Sequence, residues 1–155
     1  MRKLYSVLFG VLFLTAISAC KKDKTPVTQQ NKAIGKWNAD KGINNIYLND
    51  KLTLSDTTIL HNSYLYQLNA DGTGSIYVTG TKAYTFNYSI SDSKINYTNF
   101  VLYNADGSVA GHQDPYFETI ISITDTNLVT NFEQETTDAT GKNKSVTDIY
   151  FTRVN

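Results

Sequence analysis

A single cysteine, Cys20, stands in the chain, so no intrachain disulfide can staple the fold and stability must come from burial. Histidine is almost as scarce: His61 and His112 have no second His or Cys at ligand spacing, so the usual zinc patterns are missing and no metal is expected. Gly-x-Ser-x-Gly elbows, phosphate-binding glycine loops and dinucleotide fingerprints are absent, and no cofactor is implied. No stretch of ten or more residues carries a helical stripe of apolar side chains. A basic face is missing too. From Trp37 onward there are seven basic and thirteen acidic side chains, a net of −6, which argues against nucleic acid as a partner.

What is present begins with an address. Arg2 and Lys3 precede a mostly apolar run from Leu4 to Leu14, and Ile17-Ser18-Ala19 places small residues directly before Cys20. An apolar core of this length belongs to a secretory signal and is too short to span a bilayer. Residues 1–19 are therefore expected to be removed and Cys20 to be lipidated, holding the mature protein on a membrane of the cell envelope, the outer membrane by expectation. Residues 20–33, rich in Lys, Thr, Gln and Asn, have no apolar period and read as a flexible tether. The composition changes at Ile34-Gly35-Lys36-Trp37, and the folded domain is expected over 34–155.

Within that domain the period is two. Tyr84, Phe86, Tyr88 and Ile90 alternate with Thr85, Asn87 and Ser89; Phe117, Thr119, Ile121 and Ile123 repeat the pattern, as do Ile149, Phe151 and Arg153. Asn69-Ala70-Asp71-Gly72 is a hairpin turn, and the same four residues recur at Asn104 to Gly107. Neither copy supplies the first and twelfth acids of a calcium loop, so both are read as turns. The strands expected are 34–39, 63–69, 74–79, 83–90, 94–103, 116–123, 127–134 and 145–153, with 40–62 able to add short ones. Short reversals make an antiparallel meander, and eight strands close into a small up-and-down barrel without open edges. This is an all-β fold. In a closed barrel the first and last strands are antiparallel neighbours, so Trp37 and Arg153 are expected to meet, guanidinium over indole.

Gly35-Lys36-Trp37, the run Leu65 to Gly72, the segment Phe117 to Leu128 and the final Tyr150-Phe151-Thr152-Arg153 together resemble lipocalin-like lipoproteins of Bacteroidota-type envelopes over most of residues 34–155. The resemblance implies a barrel with a possible small-molecule cavity.

Eleven tyrosines are the compositional oddity. Connections at 40–62, 104–115 and 135–144 all fall at one end of the expected barrel, where Tyr64, Tyr84, Tyr103 and Tyr116 meet the rim beside His61 and His112. That rim is the expected binding surface for a small apolar or carbohydrate ligand. A filled barrel that meets another envelope protein is the alternative, since Tyr, Phe and Ile point inward. Glu133 and Glu135, on one face of a strand, are the one carboxylate pair; on the solvent side they are surface charge, and no catalytic residue is assigned. Replacing the lipidation residue tests the address: Cys20→Ser is expected to leave the membrane fraction, and a variant still membrane-bound at its correct mature mass would exclude lipid anchoring.

Overall fold

The computed structural model describes residues 28–61, 63–139 and 141–154. The expected signal peptide, Cys20 and the expected tether up to residue 27 lie outside the described residues. One helical turn, α1 (Gln29–Ala33), precedes ten strands: β1 (Gly35–Leu48), β2 (Lys51–Ile59), β3 (Tyr64–Leu68), β4 (Thr73–Val78), β5 (Thr81–Ser91), β6 (Lys94–Tyr103), β7 (Val109–Gln113), β8 (Tyr116–Ile123), β9 (Asn127–Asp138) and β10 (Gly141–Val154).

Eight of them close an antiparallel barrel in the order β1, β3, β4, β5, β6, β8, β9, β10, with β10 pairing back on β1. The all-β barrel expected from the two-residue period is therefore present. Its turns are also where the Asn-Ala-Asp-Gly signals put them. Asn69 N–H donates to Thr73 O while Asp71 Oδ1 accepts from the Thr73 amide and hydroxyl, and Asn104, Asp106 and Ser108 repeat each of these bonds.

The connections expected to be long loops are mostly sheet. Residues 40–62 continue β1 and turn back as β2; 135–144 hold the ends of β9 and β10; and β7 occupies part of 104–115, paired on β6. Upper β1, β2, upper β10 and upper β9 thus form a sheet that extends past the barrel. Its strands lack the alternation because neither face of it is a core: Asn44, Asn45, Asp56 and Thr57 place polar groups on both sides. The change of partner from β3 to β2 falls at Asp40, where β1 bulges between Ala39 and Lys41. A second correction concerns β8. Phe117 and Ile121 are half-exposed on the outer wall, whereas Tyr116, Glu118 and Ile120 face inward; after a bulge between Ile120 and Ser122, Ile123 of the expected row does pack on the core.

The interior is aromatic. Phe86 stacks on Phe100 at 5.3 Å between ring centroids and meets Tyr97 edge-on at 5.1 Å, and Tyr97 stacks on Tyr116 at 4.8 Å. Each such pair adds about 0.5–1.5 kcal/mol beyond the area it buries. Gly74 has no room for a side chain, because a Cβ there would collide with the Phe86 ring.

Residues 28–33, read as the end of the tether, instead cover the closed end. Thr28 caps α1 by accepting from Asn31 N–H, Gln29 Nε2 donates to Ser93 Oγ, and Ala33 is fully buried. Trp37 Nε1 donates to Ala33 O at 2.7 Å. Arg153 lies 4.1 Å above the Trp37 ring, donates from Nη1 to Ile34 O at 2.7 Å and from Nε to Asp125 O at 2.6 Å, and reaches Lys32 O through Nη2. The expected meeting of the two residues is observed. Gly35, at φ +140°, sits directly under that guanidinium, where a Cβ would strike Nη1.

Removing the guanidinium leaves those carbonyls without their charged donor. Arg153→Ala is expected to destabilise the domain by about 2–4 kcal/mol in urea unfolding, with Arg153→Lys recovering only part of it. Unchanged midpoints in both variants would mean that the contact holds nothing together.

Candidate functional site

The end opposite α1 is open. Three of the four rim tyrosines face into it: Tyr64, Tyr84 and Tyr116 pack on the aromatic core from β3, β5 and β8. Tyr103 does not join them. It follows the inward-facing Leu102, so its side chain lies on the outer wall, where its hydroxyl pairs with Thr85 Oγ1 at 3.2 Å. His61 lines an outer groove of about 290 Å³ with Asp40, Lys41 and Tyr150, and His112 is exposed on β7 across from Val101. The six expected site residues are therefore split: three tyrosines converge, and Tyr103 and both histidines lie elsewhere.

Beside Tyr64 the mouth holds a cavity of about 140 Å³, lined by Ala39, Leu60, Tyr64, Tyr66 and Ile149. Strand pairing continues this inward face onto the extension. Gly42 is opposite Ile149 and, two residues on, Asn44 is opposite Thr147, so these side chains look the same way. There Asn44 Oδ1 accepts from the hydroxyls of Ser145 (2.9 Å) and Thr147 (3.2 Å). An apolar, aromatic recess thus leads up to a patch of amide and hydroxyl groups.

Below the mouth is a group the two-residue pattern did not reveal. Glu118, only 4 % exposed, points into the barrel one inward-facing step beneath Tyr116. The Tyr97 hydroxyl donates to Glu118 Oε2 at 3.3 Å. Thr130 lies near enough to lower the acid's pKa, yet its own hydroxyl is buried without a hydrogen bond of ordinary geometry. Burial dominates and raises the Glu118 carboxyl to about 7. The same burial, with the charge of Glu118 beside them, pushes the phenols of Tyr66, Tyr97 and Tyr116 well above their ordinary range. A lone Glu between Phe117 and Thr119 reads as the solvent side of a strand. The signal that contradicts it is that Tyr116 and Ile120 alternate in step with Glu118.

The other carboxylate pair is accounted for. Glu133 bonds Lys144 at 2.9 Å and Glu135 bonds Lys142 at 3.0 Å, on the exposed face of the extension. Among the described residues no three His, Cys, Asp or Glu side chains come together to hold a metal ion. No protein-family model and no curated protein matches the chain.

Glu118 links stability to pH with a definite sign. Its native pKa lies above the unfolded value, so its contribution is fully present below about pH 4.5 and is lost as pH rises through about 7. The loss is on the order of 3 kcal/mol. Glu118→Gln keeps the shape without the charge and is expected to flatten that slope, so that it exceeds wild type near pH 8 and matches it near pH 4.5 in chemical unfolding. Parallel curves for the two proteins would show that Glu118 does not titrate in this window.

Proposed function

We propose that this chain is a lipid-anchored envelope protein whose barrel binds a small apolar or carbohydrate ligand at the open end. The observation that carries this reading is the convergence of Tyr64, Tyr84 and Tyr116 on a mouth with an apolar recess of about 140 Å³. A recess that size is below the usual range of small-molecule pockets, about 300–1,000 Å³, so it takes one ring or a short apolar group rather than a whole lipid. The rest of the ligand lies against Asn44, Ser145 and Thr147, whose amide and hydroxyl groups suit hydroxylated partners. Tyrosine serves both halves, offering a ring face to stack on and a hydroxyl for hydrogen bonding. The secretory-signal pattern, the small residues Ser18 and Ala19 directly before Cys20, and the resemblance to lipocalin-like envelope lipoproteins support the membrane address.

A second reading has an observation of its own. The barrel below the mouth is filled by rings, while β2 presents exposed Leu52, Leu54 and Ile59 along a free sheet edge, a surface that fits a protein partner. Mass spectrometry of the protein purified from its own envelope separates the two. The first reading expects a retained small molecule that Tyr64→Ala loses, with affinity down about tenfold for one lost stacking contact. Retention unchanged in that variant would move the site away from the mouth.

A further inference from the structure

Among the described residues the buried charged side chain in the filled interior below the mouth is Glu118, and its surroundings set how the mouth behaves. On β8 the inward-facing side chains descend from Tyr116 at the rim to Glu118 and then Ile120. Above the carboxyl the roof is made of rings: Tyr97 and Tyr116 are stacked with 24° between planes, and Tyr116 meets Phe100 at 5.6 Å and Phe132 at 5.7 Å. We propose that the mouth is proton-gated: it holds an apolar ligand while Glu118 is uncharged and releases it as Glu118 ionises. The proposal rests on the reading of the mouth as the ligand site and adds the regulation of that site.

The reason is the lack of any counter-charge among the described residues. The groups that face Glu118 are Tyr66 from β3, Tyr97 from β6, Tyr116 from β8 itself and the Thr130 hydroxyl from β9, with Tyr84 of β5 acting on Tyr66 and Tyr116. Burial pushes the phenols of Tyr66, Tyr97 and Tyr116 well above this range, so they carry no charge here. The strands that close the seam bring Ala39 and Trp37 from β1 and Ile149 and Phe151 from β10. The inward cation among the described residues, Arg153, is at the far end and committed to Trp37 and three carbonyls. An ionised Glu118 therefore has the Tyr97 hydroxyl at 3.3 Å as its one hydrogen-bond donor of ordinary geometry among the described residues. Its remaining lone pairs need water. That water enters past the rings that line the mouth, and it competes with an apolar group for the same space. With the carboxyl at about 7, the exchange falls at ordinary pH.

Two measurements test this on the folded domain, using the neutral fluorophore N-phenyl-1-naphthylamine as the apolar probe. Its affinity for wild type is expected to fall about tenfold from about pH 6 to about pH 8, while Glu118→Gln binds equally at both. Amide hydrogen exchange at β6 and β8 near the mouth, compared between wild type and Glu118→Gln at each pH, is expected to diverge over the same interval with no ligand present. Tyr97→Phe removes the one donor and is expected to shift both transitions to higher pH, which keeps the test open if Glu118→Gln folds poorly. Probe binding that ignores pH, or exchange that stays parallel, overturns the gate. Probe binding that is absent, or that Tyr64→Ala does not weaken, overturns instead the reading of the mouth as the site, and the exchange measurement then decides the gate by itself.

Discussion

The guanidinium of Arg153 joins the two ends of the domain, and the barrel depends on that junction. β1 and β10 are the first and last strands, so their seam closes a loop of nearly the whole domain and is entropically the hardest pairing to form. At the end of the seam Arg153 lies on Trp37 and binds the carbonyls of Lys32, Ile34 and Asp125, while Trp37 Nε1 takes the carbonyl of Ala33. Lys32 and Ala33 are the last residues of α1, whose final carbonyls have no partner within the helix. One planar cation thus satisfies a helix end, a turn and a strand start, and covers an indole. Lysine has the charge but not the fork, and so cannot hold all of these at once. Gly35 belongs to the same junction, because any side chain there would occupy the guanidinium's place.

The parts of this architecture that were legible in the sequence are those with one buried face. β5 and β10 alternate cleanly because one side of each meets the aromatic interior, and Trp37 and Arg153 could be paired from barrel closure alone. The extension was hidden for the opposite reason. Its strands are solvated on both faces, so hydrogen-bonded ladders there leave no periodic trace, and they resembled long loops. β8 misled in a third way. It has apolar side chains on both sides, Phe117 and Ile121 outside and Tyr116 and Ile120 inside, and the more apolar row is the exposed one. The face was inverted from Phe117 to Ile121, which puts Glu118 inside, and only past the bulge after Ile120 does Ile123 pack inward as its row predicts. Of the candidate site, the rim position of Tyr64, Tyr84 and Tyr116 was readable, whereas Tyr103 points away because a strand end reverses side with every residue.

Glu118 is tolerated because it has a neutral form. A bare carboxylate among rings would lack both solvation and a counter-ion, a penalty of several kcal/mol per ion even after relaxation. Protonation avoids most of that at a far smaller expense, and the rise of its pKa to about 7 records how the environment divides the two forms. Glu133 and Glu135 sit under the opposite condition. In solvent, with Lys144 and Lys142 beside them, neither contributes more than the small amount usual for exposed pairs. Environment, not residue type, separates a surface charge from a titrating interior group.

The two ends of the barrel consequently differ in how firmly they are held. At the closed end charge-assisted hydrogen bonds, a buried indole and a capped helical turn coincide. At the open end the neighbouring structure is a solvated sheet, steadied by ladder hydrogen bonds and exposed ion pairs that bury little apolar area. Local opening draws on the regions with the least burial, so it begins at the mouth and leaves the seam at Trp37 intact. Glu118 lies between these regimes, one step below the last ring layer. Its ionisation is felt first by the Tyr97 and Tyr116 stack above it, because the packing beneath, Ile95, Ile120 and Leu128, is buried and continuous with the locked end.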